Sequence, residues 1–212
     1  TGLCRTYPNM VANESARGTE YEAFGGSEPY HTVILPFTRL QGGPMDYTPG
    51  ILETRLSTWS KNPSYVHTTL VGQLALYMVM YSPLQMVADT PENYAKYDDA
   101  LQFIRDVPLD WADSKYLEAE PAKYITVARK AKNSNNWFIG GKCDQDSHQC
   151  TVKLAFLDKG RKYKCTIYAD APNADYEKNP EAYTITHRIV KKGDTLKLKE
   201  AKGGGFAVSL LD

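Results

Sequence analysis

The repeat pattern of apolar residues changes near residue 121, and this change constrains the fold more than any other feature. Before this point, short apolar runs alternate with segments whose apolar residues recur every three or four positions. After it, apolar and polar residues alternate with the period of two that is typical of β-strands. The predicted strands cover residues 124–128, 137–139, 151–156, 163–169, 182–190, 195–198 and 206–211. Seven short strands separated by turn-forming residues predict an antiparallel β-sandwich domain over residues 122–212.

The first part of the chain mixes apolar strand candidates with helical patterns. Residues 10–12 and 33–35 are apolar triplets, and we predict them to be strands. Helices are predicted over residues 68–81 with Thr68 as the N-cap, from Pro91 with Thr90 as the N-cap, and over residues 98–107. Two strand–helix units cannot stand alone, because buried parallel strands need neighbours on both sides and a barrel needs eight. We therefore predict that residues 1–121 are an α/β region, the C-terminal part of a (β/α)8 barrel with its last two strands and helices.

Three carboxylates lie close together just after the first predicted strand. They are Glu14, Glu20 and Glu22, and Arg17 lies among them. Residues that follow a barrel strand lie on the face where barrels carry their active sites. Carboxylates in that position can bind a hard cation or perform acid–base catalysis. The same spacing fits a solvated first turn of a helix, where glutamate is common, and both interpretations remain open.

A glycine- and proline-rich loop over residues 42–50 follows the second predicted strand, so it is expected on the same face of the barrel. Its only carboxylate is Asp46. The loop can line a sugar-binding subsite, or it can simply form turns in which Asp46 caps the backbone. The sequence pattern does not choose between these two interpretations.

Charge and motifs argue against several classes of function. With 25 basic and 25 acidic residues the formal net charge is zero, which argues against binding nucleic acid through its phosphates. No HExxH, nucleophile-elbow, Walker or GxGxxG pattern occurs, and the longest apolar stretch, at residues 74–80, is too short to span a membrane. We expect no signal peptide within these residues. Cys143 and Cys150 bracket a polar loop, so they either form a disulfide or remain free thiols.

Several longer strings resemble one enzyme family. They are RTYPN at residues 5–9, NESARGTEYEAF at residues 13–24, ILPFTRLQGGPMDYTPG at residues 34–50, SPLQMVADTPEN at residues 82–93 and LEAEP at residues 117–121. These strings resemble the catalytic barrel of glycoside hydrolase family 97, and above all its calcium-dependent α-glucosidases of the starch-utilising type. The string IYADAP at residues 167–172 extends the resemblance into the β-domain, so the resemblance covers essentially the whole chain.

The resemblance implies roles for individual residues. Glu20 matches the family's general acid and Glu14 matches a ligand of Ca²⁺, with Arg17 and Asp46 as supporting residues. The general base and the other calcium ligands of the family lie upstream of the segment that matches this chain. The implied partner is therefore the rest of the same polypeptide, which comprises a leading β-sandwich and the earlier barrel strands. These 212 residues alone are expected to be inactive.

The activity implied by the resemblance is the release of glucose from the non-reducing ends of malto-oligosaccharides with inversion. The expected substrate is thus an α-linked oligosaccharide, and the implied location is the periplasm. One alternative is a retaining α-galactosidase of the same family, which uses an aspartate nucleophile on an earlier barrel strand. A second is a non-catalytic carbohydrate-binding or structural β-module, which residues 122–212 alone could be.

Overall fold

Antiparallel β-strands form the largest part of the fold in the computed structural model, which describes residues 2–58 and 60–212. The strands are β1 Trp111–Glu120, β2 Tyr124–Ala131, β3 Trp137–Cys143, β4 His148–Lys153, β5 Lys162–Asp170, β6 Tyr183–Lys191, β7 Thr195–Glu200 and β8 Gly205–Leu211. Six of them form one sheet in the order β1-β2-β3-β8-β5-β6, and β4 pairs with β7 in a separate two-stranded ribbon. The antiparallel β-sheet domain predicted from the alternating pattern is therefore confirmed.

Helices occupy the first half of the chain. They are α1 Gly2–Thr6, α2 Tyr30–Ile34, α3 Leu70–Val79, α4 Pro91–Tyr94 and α5 Asp98–Asp106, with 3₁₀ segments at Thr19–Phe24, Leu35–Phe37, Arg39–Gly42, Leu56–Thr58 and Ala95–Tyr97. Helix α4 has the predicted N-cap, because the hydroxyl of Thr90 accepts a hydrogen bond from the backbone N–H of Asn93 at 3.3 Å. Within the described residues, no helix has the length and apolar character needed to cross a membrane.

The six-stranded sheet is covered on both faces. The β4–β7 ribbon packs on one face, where Ile139 and Leu196 belong to the same buried apolar cluster. Helices α3 and α5 pack on the other face, where Leu74 and Phe103 share a second cluster with Phe138. Because β3 lies between these two layers, every one of its residues is buried. A strand buried on both faces needs apolar or small residues in succession, and this is the composition of β3 apart from Lys142.

Strand β1 is a structural element that the sequence analysis did not predict. It begins at Trp111, before the predicted domain boundary at residue 121, and it pairs with β2 as an edge of the sheet. Its register shifts between Trp111 and Asp113 and again between Tyr116 and Glu118. Each irregularity breaks the alternation of inward and outward side chains, so the segment lacks the period of two from which a strand is recognised.

Helix α3 matches the helix predicted over residues 68–81, but its N-cap differs from the prediction. The cap is Thr69, whose hydroxyl accepts a hydrogen bond from the backbone N–H of Gly72 at 3.0 Å. The hydroxyl of Thr68, the predicted cap, instead donates to the carbonyl oxygen of Gly203 at 2.9 Å. Thr68 therefore ties the start of α3 to the loop that precedes β8.

A glycine allows α3 to lie close to the sheet. A Cβ atom added to Gly140 in β3 would overlap the Cβ of Met78 and lie 3.0 Å from the carbonyl oxygen of Ala75, both in α3. Only glycine leaves this space free, since any other residue would push the helix away from the sheet. The contact fixes the first half of the chain on the β-domain.

The two predicted barrel strands are not present in the described residues. Residues 33–35, predicted as a strand, lie at the end of α2 and the start of the 3₁₀ segment Leu35–Phe37. Residues 10–12 form no strand, although the next residue, Asn13, makes an isolated parallel bridge with Met45. A short apolar run is compatible with a buried helix as well as with a strand, so these triplets carried too little information. The barrel part of the fold prediction is thus not shown by this chain.

Candidate active site

Glu20 lies in the 3₁₀ segment Thr19–Phe24, at the position where the sequence predicts an acidic site. Gly18 precedes this segment with an extended backbone (φ −86°, ψ −176°), and the chain then turns so that the side chain of Glu20 is exposed. The hydroxyl of Thr48 accepts a hydrogen bond from the backbone N–H of Thr19 at 2.7 Å and donates one to the Glu20 carboxylate. Thr48 belongs to the loop at residues 42–50, so the two segments singled out in the sequence meet here.

Glu14 and Glu20 are close neighbours in the structure. A side-chain hydrogen bond with Glu20 and the negative charge of Glu20 raise the pKa of the Glu14 carboxyl, and the charge of Asp46 adds a smaller contribution. Both glutamate side chains are exposed. The structure therefore brings together Glu14, Glu20 and Asp46, three of the four residues predicted for the site.

Arg39 holds the backbone at Glu14, and the sequence analysis did not identify it. Its guanidinium donates to the backbone carbonyl and to the side-chain oxygen of Asn13, both at 2.8 Å, and to the carbonyl of Glu14 at 3.0 Å. The backbone N–H of Asp46 donates to the same Asn13 carbonyl at 3.0 Å. A rigid, multiply donating guanidinium thus fixes both segments that carry the acidic residues.

Asp46 has one side-chain oxygen, Oδ1, that is buried and has no hydrogen-bond partner among the described residues. Burying a hydrogen-bond acceptor without a partner costs free energy. This oxygen could therefore bind a donor group or a cation that the described chain does not supply. Among the described residues the Asp46 carboxylate accepts no backbone N–H, so turn capping is not observed, and the sugar-subsite interpretation remains a prediction.

Arg17 lies apart from the two glutamates. Its guanidinium lies 5.5 Å from the centre of the Tyr21 ring, and it lines an open cavity of about 420 Å³ together with Glu28 and His31. Burial lowers the pKa of His31, and the charge of Arg17 lowers it further. Within the described part of the chain, Arg17 makes no hydrogen bond or ion pair with Glu14 or Glu20, so its supporting role remains a prediction.

Glu22, the third carboxylate of the sequence cluster, is engaged elsewhere. Its Oε2 atom lies 2.5 Å from Nδ1 of His67, and the two side chains are only 12% and 14% exposed. The hydrogen bond to Glu22 raises the pKa of His67 against the opposing effect of burial. The ring of Tyr65 lies against His67 with a centroid distance of 4.5 Å. Glu22 therefore anchors the 3₁₀ segment and leaves Glu14 and Glu20 as the exposed pair.

The donor chemistry at Glu14 fits a calcium ion in part. Calcium prefers carboxylate oxygens, and a cation between Glu14 and Glu20 would offset the repulsion that raises the pKa of Glu14. However, the described residues contain no group of three or more side chains that could hold a metal ion. This chain thus offers part of a ligand set, and a complete calcium site would need oxygen atoms from elsewhere.

A second group of ionisable side chains is buried in the β-domain. Lys142 and Glu200 have no solvent exposure, and the Lys142 ammonium donates to two backbone carbonyls at 2.9 and 3.0 Å. Neither carboxyl oxygen of Glu200 has a hydrogen-bond partner within the described chain, and the nearby Cys143 thiol donates to a backbone carbonyl instead. Burial raises the pKa of Glu200 to about 8 and that of Asp170 to about 6. None of these carboxyls is accessible to a substrate as Glu20 is.

Three cysteines lie in the β-domain, and the structure shows whether they form a disulfide. Cys143, Cys150 and Cys165 are all free and buried. Of the two alternatives for Cys143 and Cys150, the free thiols are therefore observed, and burial raises the pKa of both thiols.

Comparisons with known proteins found similar sequences and structures. Residues 110–211 match the family model described as "Glycosyl-hydrolase 97 C-terminal, oligomerisation". A retaining α-galactosidase from Bacteroides thetaiotaomicron is 33% identical over 216 residues, which cover 99% of this chain and 32% of that protein. A glycoside hydrolase family 97 enzyme from Pseudoalteromonas sp. strain K8, solved in complex with panose and in complex with acarbose, is 42% identical. Its structure superposes with a TM-score of 0.93 and covers 99% of this chain and 33% of the enzyme. The chain therefore spans about a third of the length of the relatives it matches.

Proposed function

This chain belongs to glycoside hydrolase family 97 and matches the C-terminal portion of its members, and on this premise we propose that it acts within a longer α-glucoside hydrolase. The proposed reaction is the release of glucose from the non-reducing ends of malto-oligosaccharides with inversion. The observation that carries the proposal is the exposed pair of Glu14 and Glu20, which the fold holds side by side. The proposed location is the periplasm.

The relatives give support to an α-glucoside as the proposed substrate. The enzyme that is 42% identical was solved with panose and with acarbose, and panose consists of α-linked glucose units. The relative named as a retaining α-galactosidase is 33% identical, and it supports the alternative substrate. The higher identity favours the α-glucoside, while α-galactoside hydrolysis with retention is the second candidate.

Glu20 is the proposed proton donor. An inverting glycosidase protonates the departing glycosidic oxygen with one carboxyl, while an opposed carboxylate about 6.5–9.5 Å away activates water. Glu20 is exposed, as a group that reaches a substrate must be, and its carboxylate accepts a hydrogen bond from Thr48. The opposed carboxylate is proposed to come from an earlier part of the same polypeptide, because the family resemblance assigns it upstream.

Glu14 is the proposed ligand of Ca²⁺, together with oxygen atoms from the rest of the polypeptide. When bound, a calcium ion would supply positive charge that orders nearby carboxylates and substrate hydroxyls. Glu14 itself keeps its carboxylate beside Glu20, with its backbone fixed by Arg39. Asp46 has a buried oxygen without a hydrogen-bond partner among the described residues, its charge acts on Glu14, and it is proposed to support the site.

Glu20→Gln in the full-length polypeptide tests the proposal. Loss of a general acid costs about 10²- to 10⁴-fold, so we expect maltose hydrolysis to fall by at least about 10²-fold. Glu92→Gln, which changes an exposed carboxylate in α4, is the matched control and should leave the rate unchanged. Full activity of Glu20→Gln on maltose would show that Glu20 is not the acid.

The two candidate substrates are distinguished by the first product. Hydrolysis of an α-glucoside that gives β-glucose first, observed by NMR before mutarotation, supports the proposed inverting glucosidase. Preferential hydrolysis of an α-galactoside that gives α-galactose first supports the second candidate instead.

A further inference from the structure

The hydroxyl of Thr48 has a defined hydrogen-bond direction. Its oxygen accepts from the backbone N–H of Thr19 at 2.7 Å, and more weakly from that of Glu20 at 3.4 Å. A backbone N–H can only donate, so the single hydrogen of the hydroxyl is left for the third neighbour, the Glu20 carboxylate. One side chain thus ties together the start of the 3₁₀ segment and the carboxylate that the segment carries.

Thr48 is itself held in place by residues that pack on the β-domain. Two positions later, the backbone N–H of Gly50 donates to Oε1 of the buried Gln73 in α3 at 2.8 Å. The carbonyl of Gly50 accepts from the hydroxyl of Tyr94 at 2.6 Å. The neighbour Tyr47 is buried. The loop at residues 42–50 is therefore anchored around Thr48, and its hydroxyl is a fixed donor.

Gly18 gives independent support for the pairing of Thr48 with Glu20. Its φ of −86° and ψ of −176° are open to every residue type, so the backbone does not require glycine here. A Cβ atom at this position would instead overlap Oε2 of Glu20 and lie 2.6 Å from Oγ1 of Thr48. The absence of a side chain at residue 18 leaves the space in which the two side chains meet.

We infer that Thr48 is a positioning residue for Glu20, holding its carboxyl in the orientation from which it can protonate a departing sugar oxygen. The inference rests on the proposed function, because it concerns the proton donor of that reaction. Thr48 does not exchange a proton with the substrate, and its contribution is to restrict the rotamers of Glu20. A misplacement of about 1 Å at a reacting group can cost about 10²-fold in rate.

The test compares two substrates that differ in their need for protonation. Maltose has a poor leaving group, so its cleavage depends on the acid, whereas a 2,4-dinitrophenyl α-glucoside releases a phenolate that needs little protonation. In the full-length polypeptide, we expect Thr48→Val to lower kcat for maltose by about 10²-fold. We expect kcat for the dinitrophenyl glucoside to stay close to that of the parent enzyme.

Two further variants separate positioning from a general structural effect. Thr48→Ser keeps the hydroxyl and should restore most of the activity on maltose. Thr38→Val is the control, because it removes a hydroxyl that donates to the backbone carbonyl of Ile34 at 2.9 Å. Among the described residues this hydroxyl makes no hydrogen bond to Thr48 or Glu20, so the variant should change neither rate. If Thr48→Val lowers both rates equally, keeps both, or is not rescued by the Ser variant, the inference is wrong.

The failure of this inference can be told apart from failure of the proposed function. If Glu20→Gln leaves maltose hydrolysis intact, the proposed function is wrong and the role of Thr48 falls with it. If Glu20→Gln shows the difference between the two substrates but Thr48→Val does not, only the role of Thr48 is wrong. If the enzyme prefers α-galactosides and releases α-galactose first, the proposed function is wrong and the role of Thr48 in it falls as well.

Discussion

Glu200 is expected to make the stability of the protein fall as the pH rises, and Glu200→Gln isolates this effect. Burial is the main cause that raises the pKa of Glu200 from an ordinary value of 4.5 to about 8, since the carboxyl lies between the ribbon and the sheet without exposure. The charges of Asp170 and Glu118 add to the shift, while the charge of Lys142 opposes it. Ionising this group in the folded protein therefore costs on the order of 5 kcal/mol, at about 1.4 kcal/mol for each tenfold change in proton affinity.

The sign follows from which state holds the proton. Between pH 4.5 and about 8 the folded state keeps the proton of Glu200, while the unfolded chain has lost it. The stabilisation from this group is thus fully present below pH 4.5, and it declines as the pH rises to about 8. Glutamine is neutral at every pH and has the shape of the protonated glutamate, so the variant should lose this dependence.

Urea unfolding followed by tryptophan fluorescence between pH 6 and pH 9 measures the effect. This range lies at and above the pKa of about 6 of Asp170, whose own titration adds pH dependence at lower values. We expect Glu200→Gln to exceed the parent protein's free energy of unfolding by about 2 kcal/mol at pH 6, where the unfolded glutamate is already ionised, and by about 5 kcal/mol at pH 9. Glu92→Gln should follow the parent protein throughout. An identical pH dependence for Glu200→Gln and the parent would refute the reasoning.

Two further predictions concern packing and the Glu22–His67 pair. Gly140→Ala is expected to lower the free energy of unfolding by about 1–3 kcal/mol in the same urea assay, because its Cβ would overlap Met78; a variant as stable as the parent would contradict the close approach of α3. Glu22→Gln is expected to lower the pKa of His67, measured by NMR titration of the ring, because the hydrogen bond to Glu22 is what raises it. An unchanged titration would show that the pair does not persist in solution.

The β-domain could be predicted from the sequence because its strands alternate regularly and end at clear turns. All seven predicted strands correspond to strands of the structure. Strand β1 was missed because its two register shifts interrupt the alternation. The apolar triplets at residues 10–12 and 33–35 were misassigned, since a run of three apolar residues fits several kinds of buried segment.

The acidic pair could also be predicted, because Glu14 and Glu20 lie in one short segment of the sequence. The residues that hydrogen-bond to these two glutamates could not be predicted from the sequence. Thr48 and Arg39 are far from the pair in sequence, and their contacts with it depend on how the loops fold. Arg17 is nearer in sequence than either of them, yet its guanidinium lies against Tyr21. The carboxylates could be found because they are close together in the sequence, whereas the residues that orient them are brought near only by the tertiary structure.

The β-domain determines where Thr48 lies, although it contributes no side chain to the candidate active site. The carbonyl of Gly203, before β8, accepts the hydroxyl of Thr68 at 2.9 Å and the backbone N–H of Thr69 at 3.2 Å, which fixes the start of α3. Further along α3, the buried amide oxygen of Gln73 accepts the backbone N–H groups of Gly50 and Ile51 at 2.8 and 3.2 Å. Because buried N–H groups without partners cost about 1–3 kcal/mol each, the loop has few alternative positions. The orientation of Glu20 therefore depends on hydrogen bonds that link the loop before β8 to α3, α3 to the loop at residues 42–50, and Thr48 in that loop to the carboxylate.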